Sequence, residues 1–132
     1  VEYAYAKQNK MPYLLVKNAA GNYPAPNAAA FAAAAASAPW TSSPGNYVLL
    51  LNQPGANAWP ISGATFILMY KNPSNAAASA NVLKFYDWAY KYGDAAATAL
   101  DYVPLPHAVK AMVRKQWATY ITAGGKPVYV SK

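Results

Sequence analysis

The sequence predicts an α/β fold in which helices are layered on a mixed sheet. Short apolar runs of strand length alternate along the chain with segments that carry helical periodicity or helix-start residues. The apolar runs are residues 13–16, 47–51 and 65–70. Strands interleaved with helices are typical of a sheet covered by helices. No internal repeat is apparent, so the chain does not have a solenoid pattern.

The first half predicts two helices and two strands. Residues 2–9 are predicted to be helical and to end before Pro12. Residues 13–16 are apolar throughout, so we expect a strand buried on both faces. Residues 18–22 have the composition of a turn. A helix near 27–37 follows Pro26, and a strand at 47–51 follows an irregular connection.

The middle of the chain predicts a central strand and a long helix. Residues 65–70 form the longest apolar strand, which ends before Pro73 because proline cannot donate to a ladder. The helix starts at Ser74 or Asn75, either a suitable N-cap, and stops at Gly93. Its predicted buried stripe is Val82, Phe85, Tyr86 and Ala89.

The last third predicts a short helix from Asp94 to residue 100 and a longer one from Pro106. The longer helix has the clearest periodicity: Val109, Met112, Val113, Trp117, Tyr120 and Ile121 share one face, while Lys110, Arg114 and Lys115 are predicted to point away from it. Gly124-Gly125 ends this helix, and the tail 126–132 is expected to pair as an edge strand.

Composition excludes several classes of protein. No cysteine is present, so disulfides and thiolate metal sites are excluded. The longest apolar run, 64–70, is far shorter than the about 20 residues of a membrane span. The formal net charge of +7 is typical of proteins that bind nucleic acid, anionic lipid or a small anion.

Alanine is concentrated where a solvent-facing helix would carry charge. Phe31 is followed by five alanines, a pattern without a polar face. Two interpretations are open. The protein is genuinely rich in alanine, the best helix former, or some alanines stand for side chains that were not assigned when the sequence was read, which would make the positive charge partly an artefact.

Residues for catalysis or metal binding are sparse. The only histidine, His107, lies in the first turn of a helix and is expected at the surface. Asp87 and Asp101 are expected to cap, or to bond to backbone or to Lys84, rather than to act as an acid and base pair. We predict no enzyme activity, no metal and no cofactor.

Three segments closely resemble the PstS family, the phosphate-binding proteins that feed bacterial ABC importers. They are WPISGATFILMYKNP (residues 59–73), LKFYDWAYKYG (83–93) and LDYVPLPHAVKAMVRKQW (100–117). The resemblance covers nearly the whole chain but only the C-terminal part of a family member. We therefore expect a mature fragment whose fold is the C-terminal portion of a type II periplasmic binding protein.

The resemblance also implies how the chain is divided. Residues 1–57 would complete the second lobe of a two-lobed receptor, and residues 58–132 would return to complete the first. Ala58, Trp59 and Pro60 would then form the hinge, where a few residues absorb the rotation of closure. The alternative for Trp59-Pro60 is a packed aromatic residue before a stiff turn.

Phosphate ligands are expected upstream of this chain. In the family a Gly-Ala-Thr-Phe segment binds phosphate near the mature N-terminus, so Ser62, Gly63 and Thr65 are weak candidates here. Their segment runs directly into a buried strand and matches the family's C-terminal strand instead. Arg114 is expected to be a solvated charge on the last helix. No confident phosphate ligand is predicted.

The expected function is part of a periplasmic or extracellular receptor that delivers inorganic phosphate to ABC permease subunits, with the remainder of the receptor as a further partner. The alternative is a basic aromatic module that binds nucleic acid or another polyanion through its tyrosines and through lysines 7, 10, 17, 91, 110 and 115. Its difficulty is that most aromatic residues are expected to be buried, so no nucleic-acid partner is expected.

Overall fold

The computed structural model describes residues 1–131 and is mostly helical. Within these residues five α-helices follow one another, with a 3-10 turn at Pro44–Asn46. They are α1 (Tyr3–Gln8), α2 (Ala28–Ala36), α3 (Ala76–Tyr92), α4 (Asp94–Ala99) and α5 (His107–Tyr120). All five predicted helices are confirmed.

Asparagine side chains cap the N-termini of α2 and α3. Asn27 Oδ1 accepts from the Ala30 N–H at 3.0 Å, and Asn75 Oδ1 accepts from the Ala78 N–H at 2.9 Å. Each side chain thereby satisfies one N–H that has no partner within the first helical turn. Of the two predicted N-caps of α3, the structure uses Asn75.

The described residues contain one sheet, a two-stranded antiparallel hairpin of β1 (Thr122–Ala123) and β2 (Lys126–Pro127). Its turn is Gly124-Gly125, both with positive φ, which glycine adopts without strain. The predicted pairing of the tail is confirmed at Lys126–Pro127. Residues 1–131 do not form the predicted mixed sheet.

The three predicted strands are irregular in the structure. Residues 13–16 and 65–70 make no backbone–backbone hydrogen bond within the described part of the chain, and residues 47–51 contribute a single bridge, Leu51 to Ile61. A strand needs a neighbour with which to form its ladder, and residues 1–131 supply no more than this one bridge. The prediction that residues 13–16 are buried is also wrong, since Tyr13, Leu14 and Leu15 are exposed.

The chain divides into two compact units. The first comprises Val1–Phe66 and Ala96–Pro106, and the second comprises Ile67–Ala95 and His107–Lys132. In the first unit, α2 is fixed by contacts to its carbonyls: the Trp59 N–H donates to Ala30 and the Trp40 indole donates to Ala35. Gly55 lies close against α2, because a Cβ at Gly55 would lie 3.0 Å from Ser37 Oγ.

The second unit has its core between α3 and α5. Leu83, Trp117 and Ile121 are buried together. Partly buried side chains pack around them: Met69, Tyr86, Tyr90, Val113, Val128 and Tyr129. The rings of Tyr90 and Trp117 stack with centroids 5.6 Å apart. Aromatic rings are therefore a substantial part of the apolar packing in this unit.

Candidate functional site

The three weak phosphate candidates lie on the irregular segment after Pro60. Ser62 is buried, and its hydroxyl donates to the Trp59 carbonyl at 3.0 Å. Gly63 and Thr65 are exposed, and no heavy atom lies within 4 Å of a Cβ built at Gly63. The Ser62 proton is thus used in a local turn, whereas an anion site needs several converging donors.

The hinge candidates are closely held inside the first unit. Ala58, Trp59 and Pro60 are all buried. The Ala58 N–H donates to the Gly55 carbonyl at 3.0 Å, and the Pro60 carbonyl accepts from the Asn52 N–H at 2.8 Å. The hinge and the division at residues 57 and 58 stay predictions; the boundary between the compact units lies further along, between Phe66 and Ile67.

A buried asparagine positions the loop that leads to these residues. Asn18 Nδ2 donates to the carbonyls of Ala56 at 2.9 Å and Ala58 at 3.1 Å, while its Oδ1 accepts from the Asn22 N–H at 2.9 Å. Asn22 adds a bond of 2.9 Å from its own side chain to Ala56. The predicted turn at 18–22 therefore has a second role, which its local sequence did not reveal: it fixes a loop about forty residues away.

The densest group of charges surrounds Asp87 on α3. Its carboxylate accepts from Lys91 Nζ at 2.8 Å and from Arg114 Nε at 2.7 Å. The hydroxyls of Tyr129 and Ser131 donate to it at 2.9 and 2.6 Å. Four donors converge on one carboxylate, which is 5% exposed. We call these five residues the Asp87 network.

The network keeps Asp87 ionised. Burial alone would raise the pKa of Asp87, but hydrogen bonds from Lys91, Ser131 and Tyr129, together with the Arg114 charge, outweigh it and hold the pKa far below its usual range. Burial and the bond to Asp87 raise the pKa of Tyr129. The network thus joins α3, α5 and the tail through a fixed charge.

Two predictions about the last helix are wrong. Arg114 was expected to be solvated, but it is partly buried and also donates to Ser131 Oγ from Nε at 2.9 Å. Lys110 was expected to point away from the core, but it is buried and forms an ion pair with Asp94. Helical periodicity predicts that cationic side chains opposite an apolar stripe face solvent. It cannot identify a carboxylate on another helix that pairs with them, as Asp94 and Asp87 do here.

The ion pairs bear on the polyanion alternative. Lys7 pairs with Asp101, Lys91 with Asp87 and Lys110 with Asp94, so three of the six lysines proposed for a polyanion surface are neutralised by carboxylates. The aromatic residues were mostly expected to be buried, but eight of the twelve tyrosines are exposed, which favours the polyanion alternative. The exposed ones are Tyr5, Tyr13, Tyr23, Tyr47, Tyr70, Tyr92, Tyr102 and Tyr120.

Chemical groups for other functions are limited in the described chain. No three His, Cys, Asp or Glu side chains of residues 1–131 lie close enough together to hold a metal ion. Among the same residues, no helix combines the length and the apolar character that crossing a bilayer requires. His107 is exposed at the start of α5. The Asp87 network supplies structural charge, and its donors are already committed to a carboxylate.

Known proteins similar to this chain are phosphate-binding proteins. This chain is 44% identical over 130 residues to the phosphate-binding protein PstS of Pasteurella multocida. The match covers 98% of this chain and 38% of that protein. The match to PstS of Haemophilus influenzae is 45% over 119 residues, 90% of this chain and 36% of the relative. PstS of Xylella fastidiosa is 41% identical over 119 residues, 33% of its length.

The extent of these matches defines the relationship. No family model matches the chain. Identity above 40% over nine-tenths or more of the chain includes the segments 59–73, 83–93 and 100–117. The chain spans little more than a third of the length of these curated relatives. The chain is therefore a homologue of part of the PstS phosphate-binding proteins.

Proposed function

We propose that these residues are part of an extracytoplasmic phosphate receptor that delivers phosphate to the permease subunits of an ABC importer. The observation that carries the proposal is the 44% identity, over 98% of the chain, to a protein named for phosphate binding. The relatives are named as binding proteins, and no enzymatic role is proposed here. Periplasmic or extracellular localisation belongs to the same proposal.

In this proposal the chain provides scaffold, hinge and part of the cleft wall. Residues 1–57 belong to one lobe, residues 58–132 to the other, and Ala58, Trp59 and Pro60 lie where the chain crosses. The phosphate ligands come from the rest of the receptor. Ser62 supports this assignment because its hydroxyl proton is donated to a backbone carbonyl.

The unpaired strand segments support a missing remainder. Residues 47–51 alternate strictly, with Val48 and Leu50 buried and Tyr47, Leu49 and Leu51 exposed, which is the pattern of a strand with one covered face. Residues 65–70 are apolar and have no ladder. Apolar strands without neighbours are typical of a sheet whose other strands lie elsewhere.

Phosphate titration of the complete protein that contains these residues tests the proposal. Isothermal titration calorimetry should show saturable binding of inorganic phosphate, with sulfate as the control anion. Absence of saturable heat with correctly folded complete protein would contradict it.

Exposed tyrosines and the net charge favour one second candidate, a polyanion-binding module. Fluorescence anisotropy with a labelled single-stranded oligonucleotide distinguishes the two. Binding that weakens steeply with salt, together with no response to phosphate, would favour the module. We expect no oligonucleotide binding at low salt.

A further inference from the structure

Helix α3 has apolar side chains on two opposite sides. Leu83, Tyr86 and Tyr90 face the core of the second unit. At about 100° per residue, a second set lies on the other side of the helix. We call this set the outer face of α3: Val82, Phe85, Trp88 and Tyr92, each between 39% and 69% exposed.

The orientation of α3 is fixed by its inner side. Leu83 is 1% exposed within the core, and Asp87 on the same side is held by Lys91, Arg114, Tyr129 and Ser131. Turning the helix to bury the outer face would expose Leu83 and break this charged network. The outer face is therefore a second apolar surface of α3, in addition to the inner side that packs into the core of the second unit.

The outer face is an ordered aromatic patch. The Phe85 and Trp88 rings stack with centroids 6.1 Å apart, and Phe85 meets Tyr86 edge to face at 5.3 Å. A contiguous exposed aromatic patch on a folded protein indicates an interface.

We propose that the outer face of α3 is covered by the part of the receptor outside these 132 residues, so that α3 is an interior helix with a layer of protein on each side. This inference rests on the proposed function for the identity of that partner. More than half of each PstS relative lies outside the matched region, which provides ample chain. A second copy is disfavoured, because two chains of net charge +7 repel each other.

Hydroxyl-radical footprinting of the complete protein, read by mass spectrometry, tests this inference side chain by side chain. Phe85 and Trp88 should be oxidised at about a tenth or less of the rate measured for the same residues in urea-unfolded protein. Trp117, which is 9% exposed, is the internal reference for a protected ring. Rates near half of the unfolded value, as the exposures of 57% and 54% imply, would overturn the inference.

Two further measurements separate the possible partners. Protection that disappears on dilution would show self-association and would also overturn the inference. Phe85→Lys should lower the Tm of the complete protein by about 5 °C or more, whereas Lys84→Ala on the same helix should shift it by about 1 °C or less. Because footprinting does not depend on phosphate, protected rings without phosphate binding would reject the proposed function alone.

Discussion

At the scale of single residues, Asp87 determines how the second unit is held together. The sequence placed it near Lys84, but the structure pairs it with Lys91 one turn further and with Arg114 on α5. Two lysines at i−3 and i+4 are equivalent candidates in a sequence, and only the packing of α5 and the tail decides between them. Long-range partners of a buried charge are therefore beyond local sequence reasoning.

Replacing Asp87 should be costly. We expect Asp87→Ala to lower the free energy of unfolding by about 3 kcal/mol, because it leaves the Arg114 charge partly buried and unpaired. Lys91 and Arg114 remain partly solvated, which keeps the loss at the lower end for a buried pair. Urea unfolding measures it, with Lys7→Ala at the exposed Lys7–Asp101 pair as the control that should change far less.

Acid should destabilise the protein through the same residue. The pKa of Asp87 is lower in the folded state than in the unfolded chain, so below about pH 4 the unfolded state binds the extra proton. The stabilisation is complete above the unfolded pKa and is lost as the pH falls through the folded one. Urea midpoints measured between pH 6 and pH 2 should decline less in Asp87→Asn than in the unchanged protein; parallel declines would contradict the assignment.

At the scale of elements, the helices followed from the sequence, whereas the three predicted apolar strands do not form in the described chain. Caps such as Asn75 and breakers such as Gly93 act within one turn, so their signals are complete in a short window. A strand depends on a neighbour, and residues 65–70 have none in the described chain. For α3 the predicted stripe was wrong at Val82 and Phe85, which are exposed, because periodicity cannot rank two apolar faces.

The N-cap of α3 gives an element-scale prediction. Asn75→Ala should lower stability by about 1 kcal/mol, since the Ala78 N–H loses its side-chain acceptor. Asn75→Asp is the matched variant that should retain most of the stability, because its carboxylate can accept the same bond. Thermal unfolding of both variants measures the difference, and equal losses would show that the cap is not the cause.

At the scale of the whole molecule, sequence similarity carries the functional conclusion and the geometry describes what the chain contributes. The predicted α/β sheet is represented in the described chain by one small hairpin, while most side chains of the segments 13–16 and 65–70 are exposed. The sequence offered Ser62 only as a weak ligand candidate, and in the structure its hydroxyl donates to a carbonyl in its own turn. A sheet and a cleft assembled from distant parts of a chain are visible only when those parts are present.

The weak phosphate candidates yield a test in the complete protein. Ser62→Ala and Thr65→Ala should each leave the phosphate Kd within about twofold of the unchanged protein, because neither hydroxyl is expected to contact the anion. A tenfold change in Kd would correspond to about 1.4 kcal/mol of binding free energy. Calorimetric titration measures both. A tenfold loss in either variant, without a change in Tm, would identify that residue as a ligand.

The most direct test of the central claim compares phosphate titrations of two proteins: the complete protein that contains these residues and a chain verified by mass to be these 132 residues alone. The account predicts saturable binding by the first and no tight binding by the second. Sub-micromolar phosphate affinity in the 132-residue chain would contradict it, because the ligands would then lie within this sequence.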